Sequence, residues 1–506
     1  MKCFFSSLRI LIAVSSFSLS SILTQGIDFH PIKFLEKKDD SYVTSVTPDG
    51  LWVAGHSGGD PFIYHVETRT MQPLWYTTSH LQSECLKHLQ QYYGDSFGNF
   101  LKRDLDLSGN DRDPCRGKVC LSKDATVVRW ATLSGKLFCW RPDTGIETYR
   151  PVGKVQNLIM SSSSDGKTYG YVTRLKQKAK EEVTSRWGLT TICNENENEE
   201  SEYSQQFVLP AYTEKYNPND PREMILHGLS ADGKLAVGIM YLTKTRGIIH
   251  RNIDIPRINS LVLSPSTAYD ANPDVFEWDM TKMHHFHNIL IPGDTCYPFT
   301  EENLKNITPC PVQTVLLGVS PHKKFAVGAM KCYFGLNEES PLYQKSYVKQ
   351  KMFENTHTSS YKYGVYIHFL YRYNFECKQF EFLANSMDNP LLEEPCYDLK
   401  ITDDGKTVVG TYQKPGVEIE GEKQFKQTQN FMKEHETAWM NGQAVIWTEK
   451  DGLHFLKDWL IKNDVLGYEL KKWDLFAATD VTPDGKFLVG YGKNAYGHIQ
   501  GFHIGR

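Results

Sequence analysis

The stretch "SVTPDGLWVAGHSGGDPFIYHV" (45–66) carries a phrase that returns at the other end of the chain as "DVTPDGKFLVGYGKNAYGHIQGFHI" (480–504). Thr-Pro-Asp-Gly suits a turn in which proline sets φ at the second position and glycine takes a positive φ at the fourth. Apolar, β-forming residues flank the turn on both sides. The phrase therefore predicts a β-hairpin.

The phrase recurs along the whole chain. Seven copies are found at 44–57, 118–132, 159–173, 227–240, 316–330, 398–412 and 478–492. Five of them keep an Asp-Gly pair: Asp49 and Gly50, Asp165 and Gly166, Asp232 and Gly233, Asp404 and Gly405, and Asp484 and Gly485. Because each aspartate holds the same turn position in its copy, the five predict structural turns that cap backbone N–H groups. The same reasoning makes Ser230 a turn residue and not a catalytic nucleophile.

A second phrase, an aromatic strand followed by a polar turn and another strand, comes after most copies. Examples are 61–76, 135–150, 274–290, 364–383 and 443–460. One unit is therefore two hairpins, or four strands, and a series of such units predicts an all-β fold of the β-propeller class. We expect seven four-stranded blades. The last copy stops before its outer strand, so we expect residues 26–37 to supply that strand beside 499–504 and to close the ring.

The domain plan follows from the ends and the interruptions of the repeat. Lys2 and Arg9 precede an apolar run at 10–23, which predicts a signal peptide over 1–25 and an exported protein, whether periplasmic, cell-surface or secreted. No second long apolar segment follows. Residues 26–506 form the single propeller domain, with inserted loops at 77–117, 174–206, 241–272, 333–362 and 413–441. The net charge of -4 over 506 residues makes nucleic acid an unexpected partner.

Cysteines and acidic residues give two further hypotheses. An exported chain permits disulfides, and the pairs close in sequence are Cys115 with Cys120, Cys296 with Cys310, and Cys377 with Cys396; their connectivity stays open.

The segment "DLDLSGNDRD" (104–113) places Asp104, Asp106 and Ser108 at the first, third and fifth positions of a calcium loop. Cys115 stands where that loop needs glutamate, so calcium is a weak candidate beside a polar insertion loop. "HHFH" (284–287) is a still weaker metal candidate, and no other cofactor is predicted.

The C-terminal segment 443–504 resembles the HAF-repeat family of extracellular bacterial repeat proteins. That family alternates a "G-[IV]-S-x-D-G-x-x-[VI]-V-G" phrase with an "A-F-x-W-T-x-x-x-G-x-x-x-L" phrase. The matching residues are Ala444, Ile446, Trp447, Gly452, Leu456, Trp473, Leu475, Ala478, Thr482, Asp484, Gly485, Val489 and Gly490. The match is fragmentary elsewhere. The resemblance implies an exported β-repeat protein and brings no catalytic residues.

Three functions compete on this sequence. Every repeated residue has a structural explanation, and the copies show small apolar residues on the strand expected at the centre. We therefore expect a non-enzymatic propeller whose inserted loops bind a protein or a cell-surface ligand. The alternatives are a propeller enzyme, a hydrolase or a lyase, acting at a central channel, and an envelope structural component.

Overall fold

A computed structural model describes most of the repeated part of the chain. The described residues are 27–35, 40–74, 115–132, 136–149, 156–179, 182–195, 202–206, 223–242, 257–263, 284–285, 310–354, 362–377, 379–394, 396–415, 442–463 and 470–505. The predicted signal peptide lies outside them. Among the described residues, no helix combines the length and apolar character needed to cross a membrane.

Five of the sheets have four antiparallel strands each. The first contains β2 (Tyr42–Val46), β3 (Trp52–Ser57), β4 (Asp60–His65) and β5 (Thr70–Pro73). The second contains β6 (Cys115–Leu121), β7 (Val128–Thr132), β8 (Leu137–Arg141) and β9 (Gly145–Tyr149). The third contains β10 (Gln156–Ser162), β11 (Thr168–Ala179), β12 (Glu182–Glu195) and β13 (Glu202–Gln206). A later sheet contains β23 (Cys396–Ile401), β24 (Thr407–Gln413), β25 (Gly442–Thr448) and β26 (Gly452–Phe455).

Two repeat units share one nine-stranded sheet. The first unit has β14 (Glu223–Leu229), β15 (Ala236–Leu242), β16 (Arg257–Leu263) and β17 (His284–His285). The second has β18 (Cys310–Val319), β19 (Phe325–Leu336), β20 (Phe353–Glu354), β21 (Tyr363–Asn374) and β22 (Gln379–Asn385). A parallel pairing of Ile258 with Gln313 joins the two units.

The last sheet is built from both ends of the chain. It contains β27 (Asp474–Val481), β28 (Phe487–Lys493) and β29 (Ile499–Gly505), with β1 (Asp28–Pro31) added on the outside. Phe29 pairs with Ile504 and Pro31 with Phe502. The backbone N–H of Ile32, a fully buried residue, donates to Gly501 at 2.8 Å. The N-terminal segment therefore lies where the sequence predicts it.

Short helices supplement the strands. They are α1 (Ser346–Lys351), α2 (Leu456–Lys462) and 3-10 turns at Pro341–Gln344, Pro390–Glu393 and Leu470–Lys472. The stretch 333–362, predicted as an inserted loop, instead contains α1 and strand residues, and Leu342 and Val348 are buried in the neighbouring core. The stretch 174–206 is also not simply a loop, because β11, β12 and β13 occupy most of it. A composition rich in charged residues does not distinguish these strands from a loop.

The seven strands that open the repeat units form the inner layer: β2, β6, β10, β14, β18, β23 and β27. We call them the first strands. Each contacts the first strand of the next unit, and β27 contacts β2. The hydrophobic core lies between units, as in the cluster that joins Ile63 and Leu74 of the first sheet to Trp130 and Trp140 of the second. The protein therefore has the packing of β-propeller folds.

The repeated turn has one hydrogen-bond pattern. In six turns the first-position hydroxyl donates to Oδ1 of the aspartate at 2.6–2.8 Å. The same Oδ1 accepts the backbone N–H two residues later, as in Asp49 with Leu51 at 3.0 Å. Glycine follows the aspartate with φ between 67° and 74° in five turns, while Ala125 and Lys323 take φ of 57° and 61° in the other two. The predicted residues Asp49, Asp165, Asp232, Asp404 and Asp484 all lie in these turns.

Neighbouring turns are also joined to each other. Four backbone bonds run from Lys123 to Ser164, Ser164 to Ala231, Ala231 to Pro321 and Asp403 to Pro483, at 2.7–2.9 Å. The donor is the second residue of its turn. Pro321 has no N–H, and there the N–H of His322 donates to the carboxylate of Asp403 at 2.9 Å instead. Proline in this position removes the donor that alanine, serine or lysine supplies.

The predicted disulfides are not formed where the structure describes both cysteines. Cys120, Cys377 and Cys396 carry free thiols. Cys115 and Cys120 lie at opposite ends of β6, and an extended strand carries residues five apart beyond the reach of a disulfide. β22 and a 3-10 turn separate Cys377 from Cys396. Cys296 lies outside the described residues, so the pair Cys296–Cys310 stays a prediction.

Candidate functional site

The first strands carry a β-bulge just before the turn in most units. The register shifts between Val43 and Ser45 in β2, between Arg116 and Cys120 in β6, and between Ala478 and Asp480 in β27. A bulge bends the strand and re-aims the side chains around it, and bulges are frequent beside active sites. Here they set the direction of the polar side chains in the inner layer.

An ion pair joins two first strands that are not neighbours. Lys118 Nζ of β6 lies 2.7 Å from Asp398 Oδ2 of β23. The main neighbours of β6 are β2 and β10, whereas β23 packs between β18 and β27. Each residue stands four positions before the turn hydroxyl of its own copy, Ser122 and Thr402. Equivalent positions of two distant units therefore meet in the middle of the inner layer.

Two more charged side chains complete this cluster, which we call the central cluster: Lys118, Asp398, Lys400 and Asp480. Lys400 Nζ lies 3.9 Å from Asp398 Oδ1, so each oxygen of Asp398 faces one lysine. Asp480 of β27 is held by backbone, since its oxygens accept the N–H groups of Val46 at 3.1 Å and Val481 at 3.0 Å. Asp480 interacts electrostatically with both lysines.

The cluster is largely but not fully withdrawn from solvent. The side chains of Lys118, Asp398 and Lys400 expose 15%, 10% and 18% of their surface. Charged residues are seldom buried unless paired, because desolvation of a charge is costly. The two lysines and the two aspartates bring opposite charges together in equal number, and three of the four side chains keep some contact with solvent.

Burial moves the proton affinities of this cluster in opposite directions. Burial lowers the pKa of Lys118, Asp398 acts against that shift, and Lys400 adds to the lowering. Burial raises the pKa of Asp480, against the effect of Lys400 and of the two N–H donors. Asp398 keeps a lowered pKa, since the two lysines outweigh its burial. A lysine with a lowered pKa beside a carboxyl with a raised pKa is the arrangement from which acid–base pairs are made.

Other groups surround the cluster. His227 of β14, 1% exposed, acts electrostatically on Asp398. Cys120 lies near both lysines, yet burial raises the pKa of its thiol to about 11, so it is not a ready nucleophile.

The sequence-predicted metal residues are not placed here. Asp104, Asp106 and Ser108 lie outside the described residues, and so does His287. Within the described part of the chain, no group of three or more His, Cys, Asp or Glu side chains is arranged to hold a metal ion. Calcium binding at 104–108 therefore stays a prediction, as does the absence of other cofactors.

Sequence reasoning missed the central cluster. A comparison of one position across the copies, four residues before the turn hydroxyl, could have found it. The first, fourth and fifth copies have the apolar residues Val43, Leu226 and Leu316 at that position. The second and sixth copies have Lys118 and Asp398. Opposite charges at one repeat position favour a contact through the centre. Because most copies are apolar at this position, the repeat predicts an apolar residue there in every copy.

Comparisons with known proteins were made by sequence and by structure. No protein-family model matches the chain, and no curated protein matches it. The fold is similar to oligogalacturonate lyase from Vibrio parahaemolyticus, at 9% identity and TM-score 0.43, over 95% of this chain and 97% of that one. An oligogalacturonate lyase in complex with manganese is similar at 10% identity and TM-score 0.43, over 95% of this chain and 90% of that one.

Two further structures show the range of the likeness. The β-propeller domain of Swd1 from Myceliophteria thermophila is similar at 7% identity and TM-score 0.39, over 94% of this chain and 99% of that domain. The acylaminoacyl peptidase from Pyrococcus horikoshii is similar at 10% identity and TM-score 0.37, over 90% of this chain and 49% of the peptidase. At these values the likeness concerns the β-propeller class of fold.

The prediction of a non-enzymatic protein is corrected. It assumed small apolar residues on the strand expected at the centre, and the first strands instead bring Lys118, Asp398, Lys400 and Asp480 together. The physical reason for the error is that long polar side chains from distant units converge only after folding.

Proposed function

We propose that this protein is a propeller enzyme, a hydrolase or a lyase, that acts at the central cluster by acid–base catalysis. The observation that carries the proposal is the ion pair of 2.7 Å between Lys118 and Asp398, with Lys400 and Asp480 beside it. Titratable groups with pKa values shifted by burial and by specific partners are characteristic of active sites.

The residues divide the work by their proton affinity. Lys118, with its lowered pKa, is the general base once its amine is neutral. Asp480, whose pKa burial raises, is the group that we assign to give a proton to a leaving group. Asp398 orients the Lys118 side chain, and Lys400 supplies positive charge for an anion that develops in the reaction.

The proton affinity of Lys118 can be tested directly. Trinitrobenzenesulfonate reacts with neutral amines, and peptide mass spectrometry gives the labelled fraction of each lysine against pH. We expect Lys118 to be labelled at a lower pH than Lys362, whose pKa is raised by the side chain of Glu338. Labelling of Lys118 only at the same alkaline pH as Lys362 would contradict its role as the base.

The activity itself is tested with a panel of esters, glycosides and substrates of β-elimination. Lys118→Met should lower turnover by roughly 10²–10⁴-fold, the usual contribution of a general base. Lys362→Met, at an exposed ion pair, is the matched control. Equal turnover by wild type and Lys118→Met, with both folded by circular dichroism, would contradict the proposal.

The fine architecture is proposed as a seven-bladed ring closed by the N-terminal strand. Supporting it are the seven copies of the turn, the contact of β27 with β2 and the pairing of β1 with β29. Thr479 Oγ1 donates to the Val43 carbonyl at 2.8 Å, which supports the same closure. Small-angle scattering of the protein from residue 26 onward would test this arrangement through the radius of gyration.

Export and membership of the HAF-repeat family are proposed on the sequence alone. Loss of residues 1–25 on secretion, measured as the mass of the mature protein, is the test. A protein or cell-surface partner at the inserted loops also stays a prediction.

A further inference from the structure

The Asp398 carboxylate occupies the space between two lysines as a bound anion would. One oxygen lies 2.7 Å from Lys118 Nζ and the other 3.9 Å from Lys400 Nζ. The two ammonium groups come from different units, so the folded protein, and not a local motif, sets their spacing. A planar group with two oxygens, one facing each cation, fits this spacing.

The second carboxylate of the cluster does not need the lysines for its hydrogen bonds. Asp480 accepts N–H groups from Val46 and Val481, both in the first strands. If Asp398 turned away, the lysines would keep Asp480 nearby but would lose the group that touches Lys118. The cluster would then carry two cations against one carboxylate, and a single anion would restore the balance.

Both lysines of the cluster keep some contact with solvent. Lys118 and Lys400 retain 15% and 18% exposure, and neither is held by a second ion pair in the described residues other than those to Asp398. Lysine donates three N–H bonds on a flexible side chain, so Lys118 can hold two anionic groups in turn.

We infer that the central cluster binds a small carboxylate, which takes the place of the Asp398 side chain between Lys118 and Lys400. This inference rests on the proposed function and names the substrate class of that enzyme, which is a compound with a carboxylate group. Lys400 pairs with that carboxylate and Lys118 donates an N–H to it, so that the Lys118 amine, once neutral, can still face the reacting bond with its lone pair. Asp398 covers the lysines while no substrate is bound.

The test uses acetate as the probe and an Asp398→Ala variant as the receptor. Removal of the internal carboxylate leaves the two lysines uncompensated, and acetate should replace it. We expect 50 mM acetate to raise the melting temperature of Asp398→Ala by roughly 2–5 °C. Sodium chloride at the same ionic strength and neutral acetamide should not. Asp398→Ala/Lys118→Met should lose the acetate effect.

A second arm keeps the inference testable if Asp398→Ala does not fold. In the wild type, acetate should slow trinitrobenzenesulfonate labelling of Lys118 relative to chloride, with no effect on Lys362. An Asp398→Asn variant keeps an amide of the same volume in that position, so acetate must displace it, and we expect an acetate-specific stabilisation smaller than that of Asp398→Ala. Equal effects of acetate and chloride in both arms would overturn the inference, and a larger effect of phosphate than of acetate would overturn the choice of a carboxylate.

These outcomes separate the inference from the proposed function. Labelling of Lys118 at a lower pH than Lys362, without an acetate effect, would support the acid–base site and contradict the carboxylate substrate. An acetate effect with labelling of Lys118 only at the alkaline pH of Lys362 would support the anion-binding site and contradict the role of Lys118 as general base.

Discussion

Asp480 accepts a hydrogen bond from the backbone N–H of Val46 at 3.1 Å. This bond joins β27, the first strand of the last unit, to β2, the first strand of the first unit. Its other oxygen accepts the N–H of Val481 at 3.0 Å. The neighbouring turns at 47–50 and 482–485 have proline in the donor position, and proline offers no N–H for a bond between turns. The bond from the Val46 N–H to the Asp480 side chain therefore joins the two units at a place where the turns have no N–H to donate.

Replacement of Asp480 should weaken this seam. Asp480→Ala leaves two partly buried N–H groups without their acceptor, and we expect the free energy of unfolding to fall by about 1–3 kcal/mol in urea titrations. Asp480→Asn keeps one acceptor oxygen and should cost less. Asp474→Ala, exposed on the same strand, should change stability by no more than about 0.5 kcal/mol. Equal effects of Asp480→Ala and Asp474→Ala would contradict the assignment.

The N-terminal strand should contribute strongly to stability. Ile32 is fully buried against Val43 and Val489, and Phe29 packs on Trp473 with ring centroids 5.1 Å apart. Ile32→Ala should therefore lower the free energy of unfolding by about 2–5 kcal/mol, and deletion of residues 26–37 by more. Ile461→Ala, at a residue 40% exposed, is the control and should cost far less. An unchanged melting temperature after the deletion would show that the last sheet does not need β1.

The turn at Ala125 should become more stable when glycine is placed there. Ala125 has φ of 57° where five other copies have glycine, and a left-handed conformation costs a non-glycine residue about 1 kcal/mol. Ala125→Gly should therefore raise the free energy of unfolding by roughly that amount. Gly166 has φ of 71°, and the reverse change, Gly166→Ala, would place a Cβ 2.7 Å from Val127 Cβ. We therefore expect Gly166→Ala to destabilise the protein. Thermal denaturation of both variants measures the difference, and destabilisation by Ala125→Gly would contradict the turn assignment.

The Lys118–Asp398 pair should show a large coupling in a double-mutant cycle. Lys118→Met alone leaves a mostly buried carboxylate short of one partner, which should cost up to about 3 kcal/mol. Lys118→Met/Asp398→Leu should recover much of that loss. The Lys362–Glu338 pair has side chains 55% and 58% exposed, and its coupling should stay below about 1 kcal/mol. Equal coupling energies in the two pairs would show that solvent screens the Lys118–Asp398 pair as strongly as it screens the exposed Lys362–Glu338 pair.

Buried imidazoles should make the protein sensitive to acid. Burial lowers the pKa of His56 and of His503 to about 4. Since the unfolded chain takes up protons near pH 6.5, the stability from neutral imidazole is present above that pH and is lost as pH falls toward 4. Each residue contributes up to about 3 kcal/mol to this loss. His503→Phe should flatten the stability profile between pH 6.5 and 4, measured by urea titration at each pH, and an unchanged profile would contradict this role of the buried imidazole.

The turns show how far local sequence reaches. The hydroxyl, aspartate and glycine are contiguous, so their hydrogen bonds and the positive φ of Gly50 or Gly485 follow from residues within one turn. Even Ala125 and Lys323 adopt that conformation, because the strands on either side impose it. The disulfides could not be predicted in the same way from local sequence, because the distance between Cys377 and Cys396 depends on the strand and the 3-10 turn that separate them.

What the sequence by itself determined is the repeat: a hairpin turn seven times over, strands around it and an N-terminal segment able to complete the last sheet. These features depend on residues that are neighbours in the chain or on a pattern that repeats. Only the tertiary structure decided which side chains meet at the centre. Lys118 and Asp398 are unremarkable in their own copies, and their contact exists because packing of the units brings equivalent positions of β6 and β23 within 2.7 Å. Charge interactions act through space, and the distance through space is set by the fold.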